Sequence, residues 1–177
     1  LSKKDEVIKL GFFNRLFNRG KAETKVEERT VFNLQVGDIV TYDLQDFQVI
    51  GKLHYNDHGY TWAAYQLQGD GKAVWLSVEL DDELELGIYQ TVKLPLESPI
   101  PKKVTYEGRQ YRLEENGKAY VTGEGRSQNV NGKEMKYYDF EDASEEHFLS
   151  VEVWGSEVEV SYGYAIDEYE IKILAGS

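Results

Sequence analysis

The chain has 177 residues, with 20 Lys/Arg against 32 Asp/Glu for a net charge of −12, 13 Tyr, 3 Pro and no Cys. That length supports one substantial core or two small ones sharing an interface, and the aromatic-rich, proline-poor composition argues for pleated strands over disorder. Without cysteine, disulfides and thiolate metal sites are excluded.

The charge is uneven. Residues 1–29 hold eight Lys/Arg and five Asp/Glu, which leaves a body of net −15 that should repel nucleic-acid phosphates. Such a body suits a basic protein or a polyamine-like cation instead, or simply solubility. No run approaches the ~20 apolar residues of a membrane span, and no signal-peptide pattern is visible. The expected location is therefore cytoplasmic. The chain opens on Leu1 rather than Met, so residues upstream of it are expected.

Residues 5–19 read as a short amphipathic helix. Phe12, Phe13, Leu16 and Phe17 fall on one side, with Asn14, Arg15, Asn18 and Arg19 on the other. This pattern fits a peripheral contact with the inner membrane face. It equally fits docking on the β body or on a second copy of the chain as a homodimer. Residues 1–30 are thus helix and charged linker.

From Val36 the pattern turns to strands. Ile39–Tyr42 and Phe47–Leu53 form a hairpin about Asp43-Leu44-Gln45-Asp46, and Asn56-Asp57-His58-Gly59 is a second turn. Tyr60–Leu67 follows, then the hairpin signal Gly69-Asp70-Gly71-Lys72, then Ala73–Leu80. Glu83–Tyr89 alternates like a half-exposed edge strand, whose acids would discourage aggregation. Pro95, Pro99 and Pro101 mark a connector. Beyond it, strands are expected at Lys103–Tyr106, Gln110–Glu114, Ala119–Gly125, Glu134–Phe140, His147–Trp154, Glu157–Tyr164 and Glu168–Leu174.

The second series echoes the first. Val40-Thr41-Tyr42 and Phe47-Gln48-Val49 return as Val104-Thr105-Tyr106 and Tyr111-Arg112-Leu113. Tyr65-Gln66-Leu67 before Trp75-Leu76-Ser77-Val78-Glu79 returns as Tyr138-Asp139-Phe140 before Phe148-Leu149-Ser150-Val151-Glu152. The second copy carries extra residues around Gly123–Gly132. Such an echo implies an internal duplication. The expected fold is mainly β: two tandem related antiparallel modules, curved sheets or partial barrels, over 31–98 and 99–177.

In the repeated strand Val74, Leu76, Val78 and Leu80, matched by Leu149, Val151 and Val153, form the core face. The other face carries Trp75, Ser77 and Glu79, then Phe148, Ser150, Glu152 and Trp154. An aromatic, a hydroxyl and a carboxylate in series suit a cationic group lying over a ring. Ordinary strand-end packing, with the ring capping the core and Ser and Glu at the rim, has the same pattern.

Catalytic signatures are weak. Ser77 and Ser150 sit on no Gly-Xaa-Ser-Xaa-Gly turn, and Gly123-Glu124-Gly125 lacks the remainder of a phosphate loop. His54, His58 and His147 are explained as solvated turn residues as well as by a metal site. Asp81, Asp82, Glu83 and Glu85 lack calcium-loop spacing. No catalytic residue, metal or cofactor is assigned, and Glu79 with Glu152 as an acid–base pair is kept as the alternative.

The stretches Val36–Tyr42, Tyr60–Tyr65, Trp75–Glu79, Tyr137–Phe140 and Phe148–Gly155 together resemble the bacterial domain-of-unknown-function family 4178, over about residues 34–174. The leader Gly11–Phe17 is similar to the starts of such proteins. The resemblance implies no activity and no catalytic residues. It implies a setting beside phage-shock-type membrane-stress proteins and polyamine-synthesis enzymes, and hence a non-enzymatic binding or adaptor module.

Overall fold

The computed structural model describes residues 28–176. The helix expected over 5–19, with Phe12, Phe13, Arg15, Leu16, Phe17 and Arg19, lies outside the described residues. Eleven strands run in order: β1 (Ile39–Tyr42), β2 (Gln45–Asp57), β3 (Tyr60–Gln68), β4 (Ala73–Leu80), β5 (Leu84–Val92), β6 (Lys103–Tyr106), β7 (Arg109–Gly125), β8 (Lys133–Asp142), β9 (His147–Trp154), β10 (Glu157–Ile166) and β11 (Ile171–Leu174). The only helical elements among the described residues are two single 3-10 turns, Gln128–Val130 and Glu168–Glu170.

Eight of these strands close an antiparallel barrel in the order β2-β3-β4-β5-β10-β9-β8-β7, with β7 pairing back onto β2. The two halves are therefore half-barrels joined edge to edge, rather than two sheets packed on each other. Each supplies four consecutive strands, and the seams are β5–β10 and β2–β7. β2 and β7 do double duty. The start of β2 pairs with β1 and its end with β7, while the start of β7 pairs with β6. Each changes direction at a register shift, Val49/Gly51 against β3 and Leu113/Glu115 against β8, as bulges bend a strand and sharpen its twist.

The echo between the halves extends to backbone detail. β1 and β2 are joined by Asp43-Leu44 and β6 and β7 by Glu107-Gly108, all four at positive φ, as tight hairpin turns require. Val40 faces Phe47, and Val104 faces Tyr111. One equivalence differs from the sequence spacing. Tyr65 pairs with Leu76, but Tyr138 pairs with Val151, and it is Phe140 that meets Leu149. Ten residues separate Tyr65 from Leu76 but only eight separate Phe140 from Leu149, so the second hairpin is two residues shorter and Phe140 takes the buried place of Tyr65.

The main cores lie against the outside of the barrel wall. In the first half Val74, Leu76 and Val78 pack under Val31, Leu34, Val40, Phe47 and Ile171. In the second, Leu149, Val151 and Val153 pack under Ile100, Val104 and Tyr111. The β1–β2 and β6–β7 hairpins thus fold over the wall as lids on two apolar layers. Burying such side chains stabilises by roughly 1.5–3 kcal/mol each.

Four expectations need correction. Leu80, placed on the core face, is 57% exposed because β4 ends there. Glu83–Tyr89 is no edge: β5 is flanked by β4 and β10. The segments Gln110–Glu114 and Ala119–Gly125 are one continuous strand, and Asn116-Gly117 is not a turn. Gly117 instead makes room, since a Cβ there would press on the Tyr137 ring and on Asp57, which accepts the Tyr137 hydroxyl at 2.8 Å. The last strand is also shorter than expected, because Glu168–Glu170 forms a 3-10 turn before β11.

Candidate functional site

Barrel closure turns the second face of every wall strand inward, around a chamber of about 1400 Å3. All seven residues of the repeated aromatic–Ser–Glu face line it: Trp75, Ser77, Glu79, Phe148, Ser150, Glu152 and Trp154. The sequence reading placed them on one strand face. Closure brings the faces of both halves onto one enclosed wall.

Aromatic rings build one side. Tyr55 stacks on Trp62 with centroids 4.9 Å apart and planes 4° from parallel, and Trp62 meets the Tyr137 ring edge-on at 5.1 Å. Tyr89 lies over Gly87 and Gly163, where any Cβ would collide with its ring. These two glycines are what admit a tyrosine at the β5–β10 seam.

Carboxylates line the remainder, and register fixes their arrangement. Glu79 stands directly across from Glu85 on β4–β5, Glu152 across from Glu159 on β9–β10, and Glu115 across from Asp139 on β7–β8. All six line the chamber. The first two pairs are counterparts in the two halves. Like charges directly opposite on a sheet destabilise it, so three such pairs in one enclosed space call for a physical account.

They are also electrostatically joined. Burial pushes the Glu79 carboxyl up to about 7, helped by the charges of Glu85, Glu115 and Asp81. Burial pushes Asp139 up to about 7 against a lowering hydrogen bond from Ser150, with Glu152, Glu115 and Glu79 adding to the rise. Glu152 also reaches about 7 by burial and the nearby Glu159, although the Tyr55 hydroxyl (2.8 Å) and the Trp154 indole N–H (3.1 Å) donate to it. Tyr60 donates to Glu79. The Glu115–Asp139 pair therefore couples to both of the others and bridges them across the lumen.

Along β10, Glu159 lies seven residues from Ile166, the partner of Leu86 beside Glu85. At ~3.3 Å per residue the outer pairs are roughly 23 Å apart along the strands. Among the described residues the ion pairs are Arg29–Asp38, His58–Asp57, Arg109–Asp142 and Lys118–Glu134, and none involves the six acids. Arg126 and Lys133 also line the chamber, without an ion pair to these carboxylates.

No group of three or more His, Cys, Asp or Glu is arranged to hold a metal ion among the described residues. His58 is bonded to Asp57 in an exposed turn, and His147 to the Tyr162 hydroxyl at 2.8 Å. Asp139, Glu115 and Glu159 are not among the site residues read from sequence, and Glu85 is read there only as an edge acid. Their signal was acids at alternate positions opposite one another, which becomes visible only once strand partners are known.

The family model described as a domain of unknown function (DUF4178) matches residues 35–168. Three uncharacterised proteins, Mb2628 of Mycobacterium bovis and MT2673 and Rv2597 of Mycobacterium tuberculosis, are each 30% identical over 145 residues, covering 77% of this chain and 69% of theirs. No solved structure matches. An acidic, aromatic-walled barrel built from two echoing halves is thus the form taken by this chain, which belongs to the DUF4178 family.

Proposed function

We propose that the protein is a non-enzymatic binding module whose barrel chamber takes an elongated organic cation. The observation that carries this reading is the set of three facing carboxylate pairs, none of them in an ion pair among the described residues. In each pair one acid is partly buried (Glu79, Asp139, Glu152) and its partner is exposed (Glu85, Glu115, Glu159), and a partly buried carboxyl facing a like charge must either protonate or acquire counter-charge. Their spread along the lumen, with no convergent metal-type cluster, favours a ligand with separated charges over a single ion. A flexible triamine is too short to reach both outer pairs at once, but it would bridge the central Glu115–Asp139 pair to one of them. Its methylenes would lie along Trp75, Phe148 and Tyr89, and its ammonium groups would gain ring faces as well as carboxylates. A polyamine-linked setting, implied by the family resemblance, is consistent with this ligand chemistry.

Calorimetric titration with spermidine, putrescine and a neutral diol of similar length tests the reading. Spermidine should bind more tightly than putrescine, the diol should not bind, and affinity should fall as salt rises. Asp139→Asn with Glu115→Gln should remove the preference for three charges. Equal behaviour of spermidine and the diol would remove the proposal.

One observation favours a catalytic alternative: carboxyls near neutrality, such as Glu79 and Glu152, are suited to give and take protons. Mass spectrometry of spermidine recovered after incubation separates the two. Unchanged ligand supports binding alone, whereas a product that disappears in Glu79→Gln supports chemistry.

A further inference from the structure

The two halves differ at their outer edges. β1 is flanked by β2 on one side and β11 on the other, whereas β6, its counterpart, has β7 alone among the described residues. We propose that the open edge of β6 is a docking site for an extended, acid-tailed segment of another protein, added as a strand in the register that β11 takes on β1.

The backbone supplies the first argument. The Val49 N–H donates to the Asp38 carbonyl at 2.8 Å, and the Leu113 N–H donates to the Lys102 carbonyl at 2.9 Å. These are equivalent bonds in the two hairpins. Because bonded and non-bonded pairs alternate in an antiparallel ladder, Ile39 and Thr41 aim their backbone groups away from β2, and Lys103 and Thr105 aim theirs away from β7. On β1 the outward groups meet Leu174 and Lys172. On β6 they meet no strand of the described residues, and Lys103 and Thr105 are exposed.

The side chains say what such a strand should carry. On β1, Ile171 and Ile173 stand opposite Tyr42 and Val40, which β6 repeats as Tyr106 and Val104. Two apolar residues separated by one are therefore wanted. Past the end of β1 the chemistry reverses between the halves. Asp38, 2% exposed, accepts the Gly176 N–H at 2.8 Å and so ties down the end of the added strand with a carboxylate. Its counterpart on the β6 side is Lys102, followed by Lys103, which faces Arg112. All three are exposed and outside the ion pairs of the described residues. In a body of net charge −15 they form a local cationic end that suits carboxylates. The pattern is apolar, any, apolar, acid, acid. Adding a strand to an exposed edge draws affinity from main-chain bonds and selectivity from alternate side chains.

The test is fluorescence anisotropy with labelled Ile-Thr-Ile-Glu-Glu and Ile-Thr-Ile-Lys-Lys peptides on the full chain, with light scattering to follow its mass. The acidic peptide should bind saturably and about tenfold more tightly than the basic one, as two rim charge pairs allow. The exposed double change Lys102→Glu with Lys103→Glu should invert that order. Thr105→Pro, which removes an outward N–H while leaving β7's partners intact, should abolish binding of both. Three results overturn the proposal. In the first neither peptide binds, so the lysines only guard the edge against pairing. In the second both bind alike. In the third the chain is a dimer that Thr105→Pro dissociates, so a second copy takes the edge.

Discussion

Replacing Glu152 by Gln isolates the cost of charge inside the chamber. The carboxyl is held near 7 by burial and by Glu159, against an ordinary value of 4.5. The folded state therefore keeps a proton that the unfolded chain releases. The associated stability is fully present below the unfolded value, fades as pH rises through the folded one, and is gone above about 8. A rise of this size corresponds to about 3 kcal/mol between the two extremes. Glutamine keeps the shape and removes the titration, but its amide NH2 cannot accept, so it offers one acceptor oxygen where the two oxygens of the carboxyl group accept from Tyr55 and Trp154. Losing one of those bonds costs about 1–2 kcal/mol at any pH. At pH 4 the variant should be less stable than the parent by about that amount, and at pH 8.5 more stable by about 1–2 kcal/mol. Urea unfolding of ligand-free protein at both pH values measures the pair. A variant destabilised equally at the two would refute the argument, because it would mean that Glu152 ionises without penalty in the folded barrel.

Other outcomes follow from the same geometry. Gly163→Ala places a methyl against the Tyr89 ring and should cost about 1–3 kcal/mol in urea unfolding, with a change in tyrosine near-ultraviolet dichroism. Trp75→Ala should weaken spermidine binding by an order of magnitude or less, as loss of a single cation–ring contact of ~0.5–1 kcal/mol plus some packing predicts, without altering its salt dependence. Asp38→Ala removes the acceptor of the Gln35 and Gly176 N–H groups and the partner of Arg29. It should accelerate amide exchange across Ile171–Leu174 while leaving β9 and β10 protected. For the membrane contact proposed for residues 12–19, sedimentation with anionic vesicles should carry down the full chain and not one starting at Thr30. Equal behaviour of the two would withdraw that contact.

Most strands could be read from alternation and turn residues, because Gly69-Asp70-Gly71-Lys72 and the prolines at 95, 99 and 101 punctuate the chain locally. Closure could not, since it depends on pairings such as Gly51 with Gly125 and Leu86 with Ile166, set by long-range geometry. The consequence for the site was direct. A strand such as Glu83–Tyr89 alternates identically whether its polar face meets bulk solvent or a solvated lumen, so Glu85 read as protection of an edge. Gln110–Glu114 and Ala119–Gly125 read as separate strands because a small residue beside a bulky cross-strand partner, here Gly117, looks in one dimension like a break in the strand. The aromatic–Ser–Glu face was legible because it occurs twice. Its six-carboxylate setting was not, because Asp139 and Glu115 become neighbours only through the β7–β8 register.

The two seams have a consequence for how the chain can be divided. Apart from β2–β7, β5–β10 and the added β11 on β1, every ladder joins strands within one half. A cut in the proline segment between β5 and β6 would leave those internal hairpins whole and interrupt no ladder. Each fragment would then carry two unsatisfied edges that match the other's, along with part of the carboxylate wall: Glu79 and Glu85 in the first, the other four acids in the second. The chain is thus laid out for fragment complementation, with the chamber's acidity reappearing only on reassembly. Recovery of tyrosine dichroism and of cation affinity on mixing would report the same event from the wall and from the lumen.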